Sequence, residues 1–199
     1  MQFHLNGFRP GDPDIAEPSQ RASASAVSEA TSEEVDVLIV GCGPAGLTLA
    51  AQLSEFPEIH TRIIDQKDGP LRRGQADGIA CRTMEMFEAF GFRERVEREA
   101  YWVNETTFWK PGGADRDRIV RHGRIQDVED DLSDYPHVIL NQARVHDFYL
   151  DVMRQSANRL LPDYSRRLLD IAVDTATSSG SGSEAYPVIA RLGRTDPEH

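Results

Sequence analysis

The chain has 199 residues, enough for one sizeable domain with its own core. It carries 33 acidic against 22 basic residues, a net charge of −11, and a surface this acidic argues against a nucleic-acid backbone or an anionic membrane as partner. The two cysteines, Cys42 and Cys81, stand outside any metal-ligand spacing, so neither a metal site nor a disulfide framework is expected, and a reducing, cytoplasmic location is.

Residues 1 to about 34 mix Pro, Ser, Ala and acids without apolar periodicity, and are expected to form a mobile leader with no secretory signal, although "FHLNGF" offers a segment able to dock. Val35 to Val40 is β-branched and apolar on both faces, which predicts a buried parallel strand; it is too short to span a membrane. Gly43 to about Phe56 predicts a helix with Pro44 in its first turn, Leu49, Leu53 and Phe56 along one face, and Pro57 at its end. "IHTRIIDQ" is a second strand, so the order strand, helix, strand predicts a right-handed βαβ unit.

"GQADGIACRTMEMFEAFGF" predicts a glycine-rich loop running into a helix with Met84, Phe87 and Phe90, stopped at Gly91. "ETTFWK" and "RIVRHGRIQ" predict two strands joined by "PGGADRD", with Trp102, Phe108 and Trp109 as sheet core rather than a substrate platform. "PHVILNQ" is a further strand leading into a helix with Val145, Phe148, Tyr149, Val152 and Met153 on one face. "RRLLDIAVDTA" and "YPVIARLGR" predict paired strands around the linker-like "SSGSGSE".

The chemistry-bearing motif is Gly41, Gly43 and Gly46, spaced as G-x-G-x-x-G between the first strand and the first helix. The first glycine allows the tight turn, the second lets the backbone approach a pyrophosphate, and the third lets helix pack closely on strand. Amides at the helix start and the positive end of its dipole then receive negative charge. Asp65 stands 19 residues past Gly46, the reach needed for a ribose hydroxyl. The plain alternative is a glycine turn without a ligand, and the βαβ unit alone does not separate a flavin from a nicotinamide dinucleotide. Cys42 and Ala45 are expected as small space-fillers, since no base for Cys42 stands nearby.

Three stretches, "VDVLIVGCGPAGLTLAAQL", "QKDGPLRRGQADGIACRTMEMFEAFG" and "HVILNQARVHDFYL", resemble the flavoprotein aromatic hydroxylases of the phenol hydroxylase and 4-hydroxybenzoate hydroxylase type, and the resemblance runs along nearly the whole chain. It implies an α/β fold: an FAD-binding Rossmann-type βαβ domain spanning residues 35–199, with the start of a mixed substrate-domain sheet inserted in it. It implies FAD as cofactor, NADPH as co-substrate, and molecular oxygen and a small phenolic compound as reactants, with no nucleic acid or membrane partner; it allows a homodimer. The pyrophosphate would lie on Gly41, Gly43, Pro44, Ala45 and Gly46, and the adenosine ribose on Asp65 beside Gln66. The loop Gly74, Gln75, Ala76, Asp77, Gly78 and Ile79 would run beside the isoalloxazine, while Arg82 and Gln142 would hold the ribityl or phosphate part. Asp77 and His137 would reach the substrate and carry the catalytic roles.

The residue chemistry allows those roles. An Asp beside a phenol can accept its proton or orient a group that does. A His can be a neutral acceptor or a cationic donor, which suits a ring bearing a hydroxyl and a carboxylate. The plainer alternatives are Asp77 as a turn-former before Gly78 and His137 as a satisfied histidine at a strand start. His122 and His146 are read as surface or structural residues, and Arg72 and Arg73 as a solvated loop. Family members continue past the point matching His199 with further flavin and substrate motifs, so this chain reads as the N-terminal part of a hydroxylase, its last strands a three-stranded meander short of one strand. The remaining alternatives are a phenol hydroxylase acting on a ring without a carboxylate, a non-catalytic FAD-binding remnant, and a plain NAD-binding module.

Overall fold

The computed structural model describes residues 3–4, 7–8, 15–20, 32–113, 116–173 and 186–195. Its backbone divides into two compact units, one formed by Met1–Leu71 with His146–His199 and the other by Arg72–Val145.

The first unit is built on the predicted βαβ element. Two short strands near the start, β1 (Phe3–His4) and β2 (Gly7–Phe8), pair antiparallel. Strand β3 (Val37–Val40) pairs parallel with β4 (Thr61–Ile64) in unbroken register, Val37 opposite Thr61 through Val40 opposite Ile64. Asp163 adds a parallel bridge beside Ile64, its amide donating to Ile63 O at 2.9 Å while Asp65 N donates to Asp163 O at 3.1 Å. Ile39, Ile63 and Ile64 are buried, as expected of a parallel sheet covered by its crossover, whereas Val40 is exposed.

Helix α1 (Pro44–Leu53) crosses between these strands, and its packing face corrects the expected one. Leu47, Ala50 and Ala51 are the buried residues, while Leu49 and Phe56 are exposed. The face is set by closeness of approach: small alanines let the helix lie near the sheet, and the larger Leu49 and Phe56 turn away.

Helix α4 (Gln142–Gln155) buries Val145, Phe148, Tyr149 and Met153 of the expected face, with Val152 half-buried. Strands β10 (Arg166–Val173) and β11 (Val188–Arg194) form a two-stranded antiparallel ribbon with a bulge between Leu168 and Asp170. The linker "SSGSGSE" lies outside the described residues. Part of the expected leader is held: Ala16 N donates to Gln155 O at 3.0 Å, Ser19 N to Ala157 O at 2.9 Å, and Arg159 Nη2 to Ala16 O at 2.7 Å.

His146 in this unit is buried, with its Nε2 3.2 Å from the Tyr164 hydroxyl. Burial lowers its pKa below the ordinary histidine value, against the opposing charges of Asp147 and Asp65 and with a smaller push from Lys67. The folded form therefore holds His146 neutral where the unfolded chain already binds a proton. Stability from this group is fully present above the unfolded pKa and is lost as pH falls through it towards the folded value. Urea denaturation at about pH 7.5 and about pH 5.5 should show a loss on acidification that shrinks in His146→Gln; an equal loss in both proteins would contradict it.

The second unit holds a three-stranded antiparallel sheet in the order β5 (Gly78–Ile79), β9 (His137–Ile139), β6 (Tyr101–Val103). The strand pairing of the loop end Gly78–Ile79 was not expected. Helix α2 (Cys81–Ala89) buries Cys81, Met84 and Phe87, and Phe87 meets the buried Phe92 at a ring-centroid distance of 4.7 Å. Short helix α3 (Arg93–Glu99) follows, anchored by the fully buried Val96; its sequence, RERVERE, has one apolar residue and no periodic signal.

Strands β7 (Glu105–Pro111) and β8 (Ile119–Gln126) pair as predicted. The expectation that Trp102, Phe108 and Trp109 form sheet core is corrected, since all three are exposed. Phe108 and Trp109 lie on β7, which pairs only with β8 in a two-stranded ribbon, while Trp102 lies on β6, at the edge of the three-stranded sheet. Among the described residues no helix is long and apolar enough to cross a membrane.

Candidate functional site

In the first unit the three glycines of the turn meet three different demands. Gly41 has φ +104°, a conformation that L side chains rarely adopt, and its amide donates to Ile64 O at 2.8 Å, so the chain turns sharply off the parallel ladder. Gly43 is the N-cap of α1 and has nothing within 4 Å of the position a Cβ would take. At Gly46 a Cβ would collide with the Gly41 carbonyl oxygen and lie 3.3 Å from Gly41 C and 3.4 Å from Ile39 Cγ2. The turn, the open approach and the close helix–strand packing thus fall on the first, second and third glycine as the motif requires.

The helix begins without a side-chain cap, and Pro44 fills its first position, where no amide is needed. Its free N-terminal amides and dipole favour a negative group at the mouth of the turn. Asp65 closes the other side. Its Oδ2 accepts from Cys42 N at 2.7 Å and its Oδ1 from Lys67 N at 2.9 Å, so the buried carboxylate ties the end of β4 to the glycine turn. Each oxygen retains acceptor capacity for a ribose hydroxyl. Gln66, next along, accepts from Thr195 Oγ1 through its carbonyl at 2.7 Å. Cys42 is buried and its thiol is pushed up to about 12, first by burial and then by the Asp65 charge, which keeps it protonated and inert. Open space at Gly43, the positive φ of Gly41, an uncapped helix start and a carboxylate fixed beside them together fit a dinucleotide such as FAD.

In the second unit the loop Gly74–Ile79 is pinned at both ends. Gly74 N donates to Asn141 Oδ1 at 3.3 Å, Gln75 N donates to Gln142 Oε1 at 3.0 Å, and Leu140 N donates to Asp77 O at 2.8 Å. A Cβ on Gly74 would lie 2.7 Å from Gln142 Cβ and 2.9 Å from Gln142 N, so this glycine serves the packing of the loop on the start of α4. Gln142 therefore holds the loop as well as standing beside it. Asn141 shares that work, with its Oδ1 also accepting from Ala143 N at 2.9 Å; sequence reasoning missed it.

Gln75, Ala76 and Asp77 are exposed on this pinned loop, and Ile79 is buried. His137 lies across from Gly78, where a Cβ would come within 3.3 Å of His137 Nε2. The other ring nitrogen, Nδ1, is bonded to Asp127 Oδ2, a partner that no spacing in the sequence announces. Asp127 titrates below the ordinary carboxylate range because of that bond, helped by the Thr106 hydroxyl. Arg82 is exposed and committed to Glu85 at 2.6 Å, and Glu85 in turn accepts from the Ser133 hydroxyl at 2.8 Å. The first unit thus gathers Gly41, Gly43, Pro44, Ala45, Gly46, Asp65 and Gln66, and the second gathers Gly74–Ile79, Gln142 and His137. Arg72 and Arg73 are exposed, as expected.

Comparison with known proteins bears on what this arrangement binds. Residues 34–177 match the family described as FAD binding domain. The chain is 61% identical over 199 residues to 3-hydroxybenzoate 4-monooxygenase of Comamonas testosteroni, covering 100% of this chain and 30% of that protein. It is 37% identical over 158 residues to the FAD-dependent monooxygenase terD of Aspergillus terreus, covering 79% of this chain and 25% of that one. The chain therefore spans under a third of the length of these relatives. Among solved structures, the ternary complex of aklavinone-11 hydroxylase with FAD and aklavinone superposes with a TM-score of 0.59 at 22% identity, over 85% of this chain and 31% of that one, a likeness of fold.

Proposed function

From the premise that this chain belongs to the FAD binding domain family, we propose that the whole protein is an FAD-dependent monooxygenase that hydroxylates 3-hydroxybenzoate to 3,4-dihydroxybenzoate, with NADPH as reductant. The observation that carries the proposal is the 61% identity to 3-hydroxybenzoate 4-monooxygenase over the full 199 residues. The balance is one NADPH, one proton, one O2 and one 3-hydroxybenzoate in, and one NADP+, one water and one 3,4-dihydroxybenzoate out. FAD, when bound, supplies the redox and oxygen chemistry, and the protein supplies binding, orientation and charge.

The positions of this chain's residues support the following roles. The amides at the start of α1 and the open face of Gly43 receive the pyrophosphate, and Asp65 accepts from the adenosine ribose. The loop Gly74–Ile79, held by Asn141 and Gln142, offers its backbone to the flat ring. Asp77, exposed on that loop, accepts or orients the phenolic proton. His137 bonds a polar group of the substrate through Nε2.

A buried benzoate carboxylate needs a partner, whereas a phenol without one makes no such demand. Losing a hydrogen bond to a charged group costs about 1.5–3 kcal/mol, or roughly one to two decades in kcat/KM. His137→Ala should therefore lower activity on 3-hydroxybenzoate more than on phenol. Steady-state NADPH oxidation by the whole protein, corrected for uncoupled peroxide release, tests it. A proportional loss on both substrates would make His137 structural, and better activity of the unmutated protein on phenol would replace the hydroxybenzoate assignment by a phenol hydroxylase.

A further inference from the structure

We propose that Asp127 is the positioning residue of His137: its carboxylate keeps the proton on Nδ1 and leaves Nε2 as the one nitrogen the ring presents beside Gly78. The inference deepens the hydroxybenzoate reading and rests on it for the identity of the group that Nε2 meets. Asp127 follows directly on β8, where its amide donates to Asn104 O at 3.0 Å. Its carboxylate is held on both sides, with Oδ2 on His137 Nδ1 and Oδ1 accepting from Thr106 Oγ1 at 3.0 Å. His137 is placed by its own strand, paired opposite Val103 in the three-stranded sheet. The two side chains are 16% and 29% exposed, so the bond between them is largely sheltered from competing water. Among the described residues Nε2 has no hydrogen-bond partner, and it faces the backbone of Gly78 at the end of the loop that carries Asp77.

A neutral imidazole has one N–H and one acceptor nitrogen, and the partner of one nitrogen decides the state of the other. A carboxylate can only accept, so Asp127 requires the proton on Nδ1. Nε2 is then an acceptor towards a ring hydroxyl while the imidazole is neutral, and a donor towards a carboxylate once the imidazole takes a second proton. Thr106 adds a constraint that makes the arrangement testable. Its hydroxyl donates to Oδ1, and where it goes on donating in Asp127→Asn the amide oxygen stays there and the amide nitrogen takes the place of Oδ2. That nitrogen donates to Nδ1 and drives the imidazole proton to Nε2.

The test is two-bond proton–nitrogen correlation spectroscopy of the histidine rings in the unliganded chain, at a pH where the ring is neutral, with His137 assigned by its loss in His137→Gln. The expected result is the Nδ1–H tautomer in the unmutated chain and the Nε2–H tautomer in Asp127→Asn. An Nε2–H tautomer in the unmutated chain overturns the proposal. Carbon-detected titration of Asp127 is the second readout. Its lowered midpoint should rise in His137→Gln, and an unmoved midpoint would contradict the pairing. No substrate enters either experiment, so its outcome is independent of the hydroxybenzoate assignment, which the activity comparison tests separately.

Discussion

Gly43→Val is expected to reduce FAD affinity by at least about a hundredfold, roughly 3 kcal/mol or more, while leaving the fold intact. No described atom beyond the two chain neighbours lies within 4 Å of the added Cβ position, so the branch point of the side chain enters open space. The space it fills is the approach to the helix start, where the pyrophosphate has to come close to backbone amides. A branched side chain there separates the anion from the N–H groups and the dipole that receive it. Titration of FAD into both proteins measures the loss, and thermal unfolding without ligand checks that the variant is folded. Equal affinity in the two proteins would contradict the assignment of the turn.

Gly46→Ala should do the opposite, costing stability before any ligand is considered. Its Cβ would overlap the Gly41 carbonyl oxygen, a backbone atom of a residue already fixed at φ +104°. No side-chain rotamer relieves the overlap, so α1 must move off β3. Alanine gains about 1 kcal/mol over glycine in a helix interior. Overpacking against backbone costs about 3 kcal/mol or more, because the whole helix has to shift, and that term wins. Against a domain stability of roughly 5–15 kcal/mol the variant should be visibly less stable. Urea denaturation of Gly46→Ala, with Gly43→Ala as the control lacking any neighbour, should show a large fall in midpoint for the first and little change for the second. Equal midpoints would mean that helix and strand do not pack as described.

These two variants mark what could be read from the sequence. The glycine spacing was legible because each glycine answers a separate steric demand, and the structure assigns the demands in the expected order. The packing face of α1 was not legible from apolar periodicity. Leu49, Leu53 and Phe56 make the stronger hydrophobic stripe, but the helix buries Leu47 with Ala50 and Ala51, a face on which two of the three residues are small. Apolar periodicity marks large residues, whereas alanines that let a helix lie close to a strand add little to that signal. The aromatic residues of the β7–β8 ribbon failed as core for a related reason, since strand propensity says nothing about whether a second layer covers the strand.

Around the loop Gly74–Ile79 the legible part was the type of residue and the illegible part was its partner. Gln142 and His137 stood out through the family resemblance. Asn141, Asp127 and Thr106 did not, because they act by bonding to the loop or to His137 rather than through a motif of their own. Asp127 lies ten residues before His137, just past the end of β8 while His137 is on β9, a separation with no period to detect. Gln142 had been matched to the cofactor alone, and its side-chain oxygen also carries the Gln75 amide. Positioning residues of this kind become visible only when the backbone brings distant segments together.

The central claim, that the glycine turn of this chain takes FAD rather than a nicotinamide dinucleotide, is tested most directly by flavin fluorescence during titration of the purified chain with FAD, with and without NADH as competitor. The account predicts saturable binding of FAD that NADH at the same concentrations does not displace. Displacement of FAD by equimolar NADH, or no saturable binding of FAD at all, would contradict it.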